Sequence, residues 1–244
     1  MSAVAVLGIL GIGILLPTIS LGEGAMTYAV RKSAAAPKID AVWDKDPWRT
    51  IAPLRLENAM GEPPSHRPVV QAKIAYDGEA VYVIFRVEDR YVRAVADGYQ
   101  GRVWEDSCVE FFFTPGPRPD DGYFNLEMNC GGTALFHHQK ERGKDVVPVS
   151  AEDFAKIQVA HSLPKIVDPE IEGPVTWTVE YRLPIAILGQ YAAAVPPAPG
   201  AAWRANFYKC GDKTSHPHWL TWTPVDFPKP NFHLPAFFGA LVFE

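Results

Sequence analysis

Apolar residues occupy every second position in several short stretches of the chain. Within residues 80–88 these positions are Val81, Val83, Phe85 and Val87. A repeat of two residues is the pattern of a β-strand that buries one face and leaves the other polar. Residues 108–113, 124–130, 175–183 and 203–208 show the same repeat. The sequence therefore predicts half-buried antiparallel strands along much of its length.

Turn-forming residues separate these stretches. Asp77-Gly78 lies between residues 69–76 and 80–88 and predicts a tight hairpin turn, while residues 115–122 form a polar, proline-rich turn. No helical repeat extends beyond about three turns, and residues 185–191 are predicted to form one short helix. The 23 Pro and 19 Gly residues exclude a helix bundle. The predicted fold of residues 26–244 is one all-β domain, a two-sheet antiparallel β-sandwich that is jelly-roll-like.

The first 25 residues differ from this pattern. Residues 3–16 are apolar or glycine and uncharged, and Pro17 follows them. A bilayer span needs about 20 apolar residues, so this shorter run matches a secretory signal better, with Gly22, Gly24 and Ala25 near a cleavage site. We predict a signal peptide or N-terminal apolar segment at 1–25, export to the periplasm or cell exterior, and no membrane span in the mature protein. Because no Lys or Arg precedes the apolar run, an uncleaved anchor or a misassigned start codon is the alternative.

Charge and cysteine content limit the possible partners. Lys and Arg number 23 against 28 Asp and Glu, a net charge of −5. There is no basic excess to neutralise phosphates, so we expect no nucleic-acid partner. The three cysteines, Cys108, Cys130 and Cys210, contain no Cys-x-x-Cys motif and allow one disulfide at most. Their spacing does not select a pair.

Two predicted strands carry unusual polar faces. The residues are Asn125, Glu127 and Asn129 on one strand and Arg204, Asn206 and Tyr208 on another. Amides and carboxylates form hydrogen bonds with neighbouring hydroxyl groups in pairs, so these faces suit a ligand rich in hydroxyls. An ordinary solvated sheet face is the alternative interpretation.

Several segments, taken in order, resemble a known family. They are Lys38-Ile39-Asp40 with Trp43, Asp44 and Trp48; residues 75–83 running to Val87-Glu88-Asp89; residues 103–112, which include Trp104-Glu105-Asp106-Ser107-Cys108; residues 123–132; Asn206-Phe207-Tyr208-Lys209-Cys210-Gly211-Asp212; and residues 220–224 and 238–243. From about residue 38 to the C-terminus this set resembles the family 9 carbohydrate-binding modules and their stand-alone bacterial relatives. The resemblance implies a β-sandwich that binds sugars without chemistry.

The resemblance also implies a site. In that family two tryptophans enclose a sugar ring, typically at the reducing end of a chain, and a glutamate binds hydroxyls. Trp104 and Trp222 match the tryptophans, and Glu110 matches the glutamate. An indole is a flat apolar surface that suits the C–H face of a pyranose. The further candidates are Asn125, Glu127 and Asn129 on the next strand, and Arg86, Arg204 and Tyr208. Position 127 is Glu where the family has Arg, which leaves the hydrogen-bonding pattern and the reducing-end preference open.

The expected function is carbohydrate binding by an exported monomer that supports carbohydrate catabolism. One alternative is a glycoside hydrolase in which Glu110 and Glu127 act as acid and base on an O-glycosyl bond. Another is a haem domain using Met and His ligands. A third is a zinc site at His216, His218 and Cys210.

A structural calcium ion is a further implication of the resemblance. Calcium prefers oxygen ligands, and the available acids are Asp77, Asp89, Asp106 and Asp212. The sequence does not choose among them.

Overall fold

The computed structural model describes residues 26–244; the predicted N-terminal segment at 1–25 lies outside them. Its strands are β1 (Thr27–Lys32), β2 (Leu54–Arg55), β3 (Asn58–Ala59), β4 (Val69–Tyr76), β5 (Ala80–Asp89), β6 (Val92–Ala94), β7 (Cys108–Thr114), β8 (Tyr123–Asn129), β9 (Ala134–Gln139), β10 (Val147–Pro148), β11 (Gln158–His161), β12 (Val167–Ile171), β13 (Val175–Pro184), β14 (Ala202–Cys210), β15 (Trp219–Thr221) and β16 (Gly239–Phe243). The helices are α1 (Ala151–Phe154), α2 (Ile185–Leu188) and 3-10 turns at Trp48–Thr50, Val103–Glu105, Pro119–Asp121 and Pro235–Phe237. The predicted all-β fold is confirmed, and the short helix predicted at 185–191 forms as α2.

The strands form two layers joined at one edge. The front sheet has the order β10-β9-β8-β7-β14-β16-β1, and the back sheet has the order β1-β4-β5-β13-β11. Strand β1 pairs with β16 through Thr27–Val30 and with β4 through Arg31 and Lys32. Both of these pairings are parallel, whereas the neighbouring long strands of each sheet pair antiparallel, as predicted.

Short strands extend the two layers. β15 pairs with the end of β14 and with β3, and β2 pairs with β4. β6 and β12 form a separate two-stranded sheet. Within the described range, every helix is too short or too polar to span a bilayer.

The core lies between the two sheets and follows the predicted faces. The front sheet contributes Val109, Phe111, Phe113, Leu126, Met128, Trp203 and Phe207, all of them predicted to point inward. The ring of Phe111 stacks on those of Phe113 and Phe207, with centroids 4.4 and 4.7 Å apart. Because side chains alternate along a strand, filling this core sends the intervening polar residues to the outer face of the front sheet.

A segment at the N-terminal side covers the outer face of the back sheet. Trp48 and Ile51 pack on Tyr82 and Ile84 in a second apolar cluster. The buried carboxylate of Glu180, on β13, accepts a hydrogen bond from the Trp48 indole and holds this segment on the sheet. This face is therefore closed, and the open site lies on the other layer.

Candidate functional site

A cleft of about 330 Å³ lies on the outer face of the front sheet. Its lining residues are Trp104, Glu110, Asn125, Glu127, Leu135, His137, Gln139, Arg142, Gly143, Val146, Cys210, Asp212, Trp219, Pro230, Asn231, Phe232 and His233. Strands β7, β8, β9 and β14 form its floor, and the connecting loops form its walls. Ligand pockets typically measure about 300–1,000 Å³, so this cleft suits a small ligand or the end of a chain.

Strand register places the polar residues of the floor. Glu110 on β7 lies opposite Glu127 on β8, and Asn125 on β8 lies opposite His137 on β9. Cross-strand partners on one face approach to about 4.5–5.5 Å at their Cβ atoms. The floor therefore brings carboxyl, amide and imidazole groups close together. The two-residue alternation that points the apolar side chains into the core points these polar groups into the cleft.

Hydrogen bonds hold the floor residues in place. The Gln139 amide donates to Asn125 Oδ1 at 2.8 Å, and the Asn125 amide donates to Glu127 Oε1 at 2.9 Å. The Cys210 thiol donates to Glu110 Oε1 at 3.1 Å. Each carboxyl group thus has one oxygen occupied by a protein donor and the other available to the cleft that both glutamates line.

Trp104 and Trp219 are half-buried walls of the cleft, and Asp212 links them. The Asp212 backbone N–H donates to the Trp104 carbonyl oxygen at 3.1 Å. The Trp219 indole N–H donates to Asp212 Oδ1 at 2.8 Å. Because Asp212 bonds the backbone of Trp104 and the indole of Trp219, it brings these two residues to the same cleft although they belong to distant parts of the chain.

A further loop completes the wall beyond the floor. The Phe232 ring stacks on the buried Tyr208 ring, with centroids 4.2 Å apart. His233 Nδ1 lies 2.9 Å from the Tyr123 hydroxyl and 3.3 Å from the Gln139 amide nitrogen. Burial lowers the pKa of His233 to about 3, so its imidazole is neutral at physiological pH.

Burial disfavours the charged form of both floor acids. Burial raises the pKa of Glu127 to about 7. Burial, together with the neighbouring Cys210 and Glu127, raises the pKa of Glu110 well above its ordinary value. Among residues 26–244, no Lys, Arg or His nitrogen lies within 4.0 Å of either carboxyl group. A neutral carboxyl both donates and accepts a hydrogen bond, which suits a hydroxyl-bearing ligand.

Comparison with known proteins identifies the family. The model of carbohydrate-binding family 9 matches residues 45–243, most of the chain. The chain belongs to carbohydrate-binding family 9. The resemblance predicted from the sequence is thereby confirmed.

Solved structures show the same fold. A protein from Bacteroides uniformis ATCC 8492, provisionally described as carbohydrate-binding, is 34% identical, with a TM-score of 0.81 over 90% of this chain and 100% of that one. A family 9 module from Caldicellulosiruptor kristjanssonii in complex with cellotriose is 14% identical, with a TM-score of 0.62 over 90% and 94%. The glucose complex of a family 9 module from the same organism is 15% identical, with a TM-score of 0.59 over 89% and 96%. No curated protein matches the chain.

The structure gathers four of the predicted site residues of this family 9 chain at the cleft. Trp104, Glu110, Asn125 and Glu127 line it. Asn129 lies on the same face but bonds Asp106 and the backbone of Gly131 and Thr133, so it shapes the turn after β8.

Three weaker candidates lie outside the cleft lining. The Arg204 guanidinium bonds the Phe238 carbonyl oxygen. Tyr208 is fully buried under Phe232, and its hydroxyl donates to the Phe232 carbonyl oxygen, so it supports the wall from behind. Arg86 lies on β5 in the back sheet and pairs with Glu88. In each of the three, the side chain bonds a neighbouring residue and does not line the cleft.

The prediction that Trp222 shares a cleft with Trp104 is wrong. Trp222 is 3% exposed and packs in the core, edge-on to Phe207 and Tyr28. Trp219, three residues earlier, takes the place at the cleft. An odd offset along an extended segment reverses the face of the sheet, so the correct segment was identified with the wrong tryptophan.

We expect Trp222→Ala to lower the free energy of unfolding by about 3 kcal/mol, because it leaves a cavity in the core. Thermal and denaturant unfolding measure this loss. The folded fraction should retain the ligand affinity of the wild type, since the indole does not line the cleft. A stable, folded Trp222→Ala protein that binds nothing would contradict the placement.

Several cleft residues were not predicted from the sequence. They are Leu135, His137, Gln139, Arg142, Gly143, Val146, Asp212, Trp219, Pro230, Asn231, Phe232 and His233 as lining residues. The strand β9 offered a signal in its alternation of Leu135, His137 and Gln139 with Phe136 and His138. The loop residues offered none, because their position depends on the fold.

The four acids suggested for calcium do not converge on one site. Asp77 accepts from the backbone N–H groups of Glu79 and Ala80, and Asp106 accepts from those of Val95 and Ala96. Asp89 lies between His66 and the buried ammonium of Lys209, and Asp212 bonds Trp219. Among the described residues the four acids form no common ligand cluster, although Asp89 Oδ2 and Asp106 Oδ1 are buried without a hydrogen bond.

The other metal alternatives also lack converging residues. The His218 ring contacts the buried Lys209 ammonium at 2.7 Å, whereas the Cys210 thiol points to Glu110 on the cleft side. The predicted set of His216, His218 and Cys210 therefore does not assemble. Met128 packs in the core between the sheets and is not placed to bind haem.

Proposed function

We propose that this family 9 protein binds a carbohydrate in the front-sheet cleft, with one sugar ring held at Trp104 and Trp219 over the floor of Glu110, Asn125 and Glu127. The observation that carries the proposal is that two half-buried tryptophans, Trp104 and Trp219, line one cleft beside a polar floor. An indole buries the apolar C–H face of a pyranose, and the floor bonds its hydroxyls. The aromatic walls and the polar floor thus match the apolar C–H face and the hydroxyl groups of a sugar ring.

The family supports this reading, although its distant structures contribute the fold alone. Modules of family 9 have been crystallised with cellotriose and with glucose. This chain has the same fold and places its cleft residues on one sheet face. The small cleft volume favours a ligand of one or two rings or the end of a longer chain.

Binding without catalysis fits the carboxyl geometry better than hydrolysis does. Glycosidases place two carboxyl groups on either side of the scissile bond. Glu110 and Glu127 lie opposite each other on adjacent strands of one sheet face, so both approach a bound ring from the same side. Glu110 and Glu127 therefore form hydrogen bonds with the hydroxyl groups of the bound sugar.

The first experiment is a glycan array with the purified protein, followed by calorimetric titration of each binding sugar. We expect saturable binding, and Glu110→Gln and Glu127→Gln should each weaken it by about 3- to 10-fold, since the amide retains one acceptor. Purified protein should release no product from the bound glycan. A well-folded protein that binds no glycan would refute the proposal, and turnover would replace it with the glycosidase alternative.

We further propose that the protein is exported and supports carbohydrate catabolism. The apolar, uncharged run at residues 3–16 and the small residues after it support export. N-terminal sequencing of the protein from the periplasm or medium should begin near Met26. Recovery of the full-length chain from the cytoplasm would contradict this.

A further inference from the structure

Two cysteines and a glutamate converge beneath the cleft. Cys108 and Cys210 are directly opposite on the antiparallel strands β7 and β14, and Glu110 follows Cys108 by two residues on the same face. One sulfur from each cysteine and one carboxylate oxygen of Glu110 all lie within 4.8 Å of one another. The three residues are 0%, 1% and 2% exposed.

We propose that Cys108, Cys210 and Glu110 bind a divalent cation of the zinc class, with a fourth coordination position open to the cleft. The proposal concerns metal binding by the protein itself and does not rest on the proposed sugar function. Cys210 and Glu110 line the cleft, which gives an ion and a water molecule a route to the site.

The surroundings of Glu110 favour a cation from outside the chain. The charged form of a buried carboxyl group is costly unless a cation or several donors compensate it, and a bound metal ion would supply that compensation. In the range 26–244, Glu110 has no ion-pair partner within 4.0 Å, and the Cys210 thiol is its side-chain donor. By contrast, the buried carboxylates Asp89 and Glu180 each have a lysine ammonium nearby, at 3.6 and 2.8 Å.

The ligand set selects the type of metal. Two sulfur atoms favour zinc and other thiophilic ions, whereas calcium and magnesium prefer oxygen. Tetrahedral bonds of about 2.0–2.3 Å place ligand atoms about 3.3–3.8 Å apart. Ligand atoms that already lie within 4.8 Å reach this geometry by small side-chain movements. Two thiolates, one carboxylate and one open position form the donor pattern of an accessible zinc site.

The third cysteine provides a matched control. Cys130 is also buried and free, but it packs in the core between the sheets, and its sulfur contacts the Arg93 carbonyl oxygen. It is outside the ligand cluster. A cysteine-to-serine change there alters a buried thiol without altering the proposed site.

The experiment is metal titration of the full chain after reduction and removal of bound metal with a chelator. The probes are Zn²⁺ followed by calorimetry, Co²⁺ followed by its visible tetrahedral absorption, and Cd²⁺ followed by its thiolate charge-transfer band. We expect one ion per chain. Cys108→Ser and Cys210→Ser should each lower affinity by more than about 100-fold, exceeding the 10- to 100-fold typical of a lost outer partner. Cys130→Ser should bind as the wild type does, and Glu110→Gln should retain the thiolate band with weaker affinity.

Circular dichroism and thermal melting check that each variant is folded. If Cys108→Ser fails to fold, Cys210→Ala and the thiolate band of the wild type provide the decisive readings. The proposal is overturned if the reduced protein binds no stoichiometric metal or if Cys130→Ser loses as much affinity as the other two. It is also overturned if protein isolated without reductant carries a Cys108–Cys210 disulfide. Because no sugar is present, a failed metal titration leaves the proposed sugar binding untouched, and the reverse also holds.

Discussion

Trp104→Ala and Trp219→Ala should each weaken sugar binding by about 30- to 1,000-fold while leaving the protein folded. Both indoles are half-buried at the cleft, with Trp104 in a 3-10 turn and Trp219 at the start of the short strand β15. Removing one deletes contact area with the ligand, and a central aromatic residue typically contributes about 2–4 kcal/mol to binding. Calorimetric titration with the best glycan from the array measures the loss.

Two further variants, at Trp43 and Asp212, control this experiment. Trp43 is partly exposed on the opposite layer, where its ring lies under the Lys73 ammonium at 4.1 Å, so Trp43→Ala should leave affinity unchanged. Asp212→Asn should weaken binding less than Trp219→Ala, because it perturbs the indole's hydrogen bond without removing the ring. Unchanged titrations in both Trp104→Ala and Trp219→Ala would refute the proposed sugar contacts.

Glu180→Ala should lower the free energy of unfolding by about 3–5 kcal/mol, the usual cost of breaking a buried ion pair. The Glu180 carboxylate is fully buried and accepts from the backbone N–H groups of Asp40 and Ala41, from the Lys45 ammonium and from the Trp48 indole. Ala41 has a φ of 59°, a conformation unusual for a non-glycine residue, so its bond to Glu180 also supports a strained turn. For a chain of this size the loss corresponds to a melting temperature lower by about 6–20 °C.

The matched control is Glu88→Ala on the same sheet. Glu88 pairs with Arg86 on the surface, and its side chain is 48% exposed, so its removal should cost less than about 1 kcal/mol. Glu180→Gln should fall between the two, because the amide keeps one acceptor but loses its charge opposite Lys45. Equal melting temperatures for Glu180→Ala and Glu88→Ala would show that the segment at residues 40–48 does not depend on this carboxylate. Sugar affinity of folded Glu180→Ala should be unchanged, since Glu180 lies on the layer opposite the cleft.

The strand faces were predictable because burial repeats locally. Phe111 and Phe113 point into the core and Glu110 points out for the same reason, namely the two-residue period of an extended chain. Once one residue is assigned to a face of the sheet, the facing of every other residue in that strand follows. The acidic and amide floor of the cleft, with Glu110, Asn125 and Glu127, therefore followed from the pattern.

The tryptophan of the second wall was not predictable in the same way. Trp219 and Trp222 are three residues apart and must face opposite sides of β15 and its extension. Local pattern alone does not say which side meets the core, since both are large and aromatic. The pairing of β15 with β14 decides it, sending Leu220 and Trp222 inward and leaving Trp219 at the cleft.

Local sequence patterns were enough to predict the strands, their inward and outward faces and the polar floor of the site, because these depend on neighbours within a few residues, and the ordered set of motifs predicted the family. The loops that form the walls, and the distant side chains that come into contact, follow only from the folded arrangement of the strands. Cys210 and Glu110 are 100 positions apart along the chain but in contact across β7 and β14. Contacts of this kind depend on strand order and register. Many segments determine these jointly when they pack around one core, so no short stretch of the sequence encodes them.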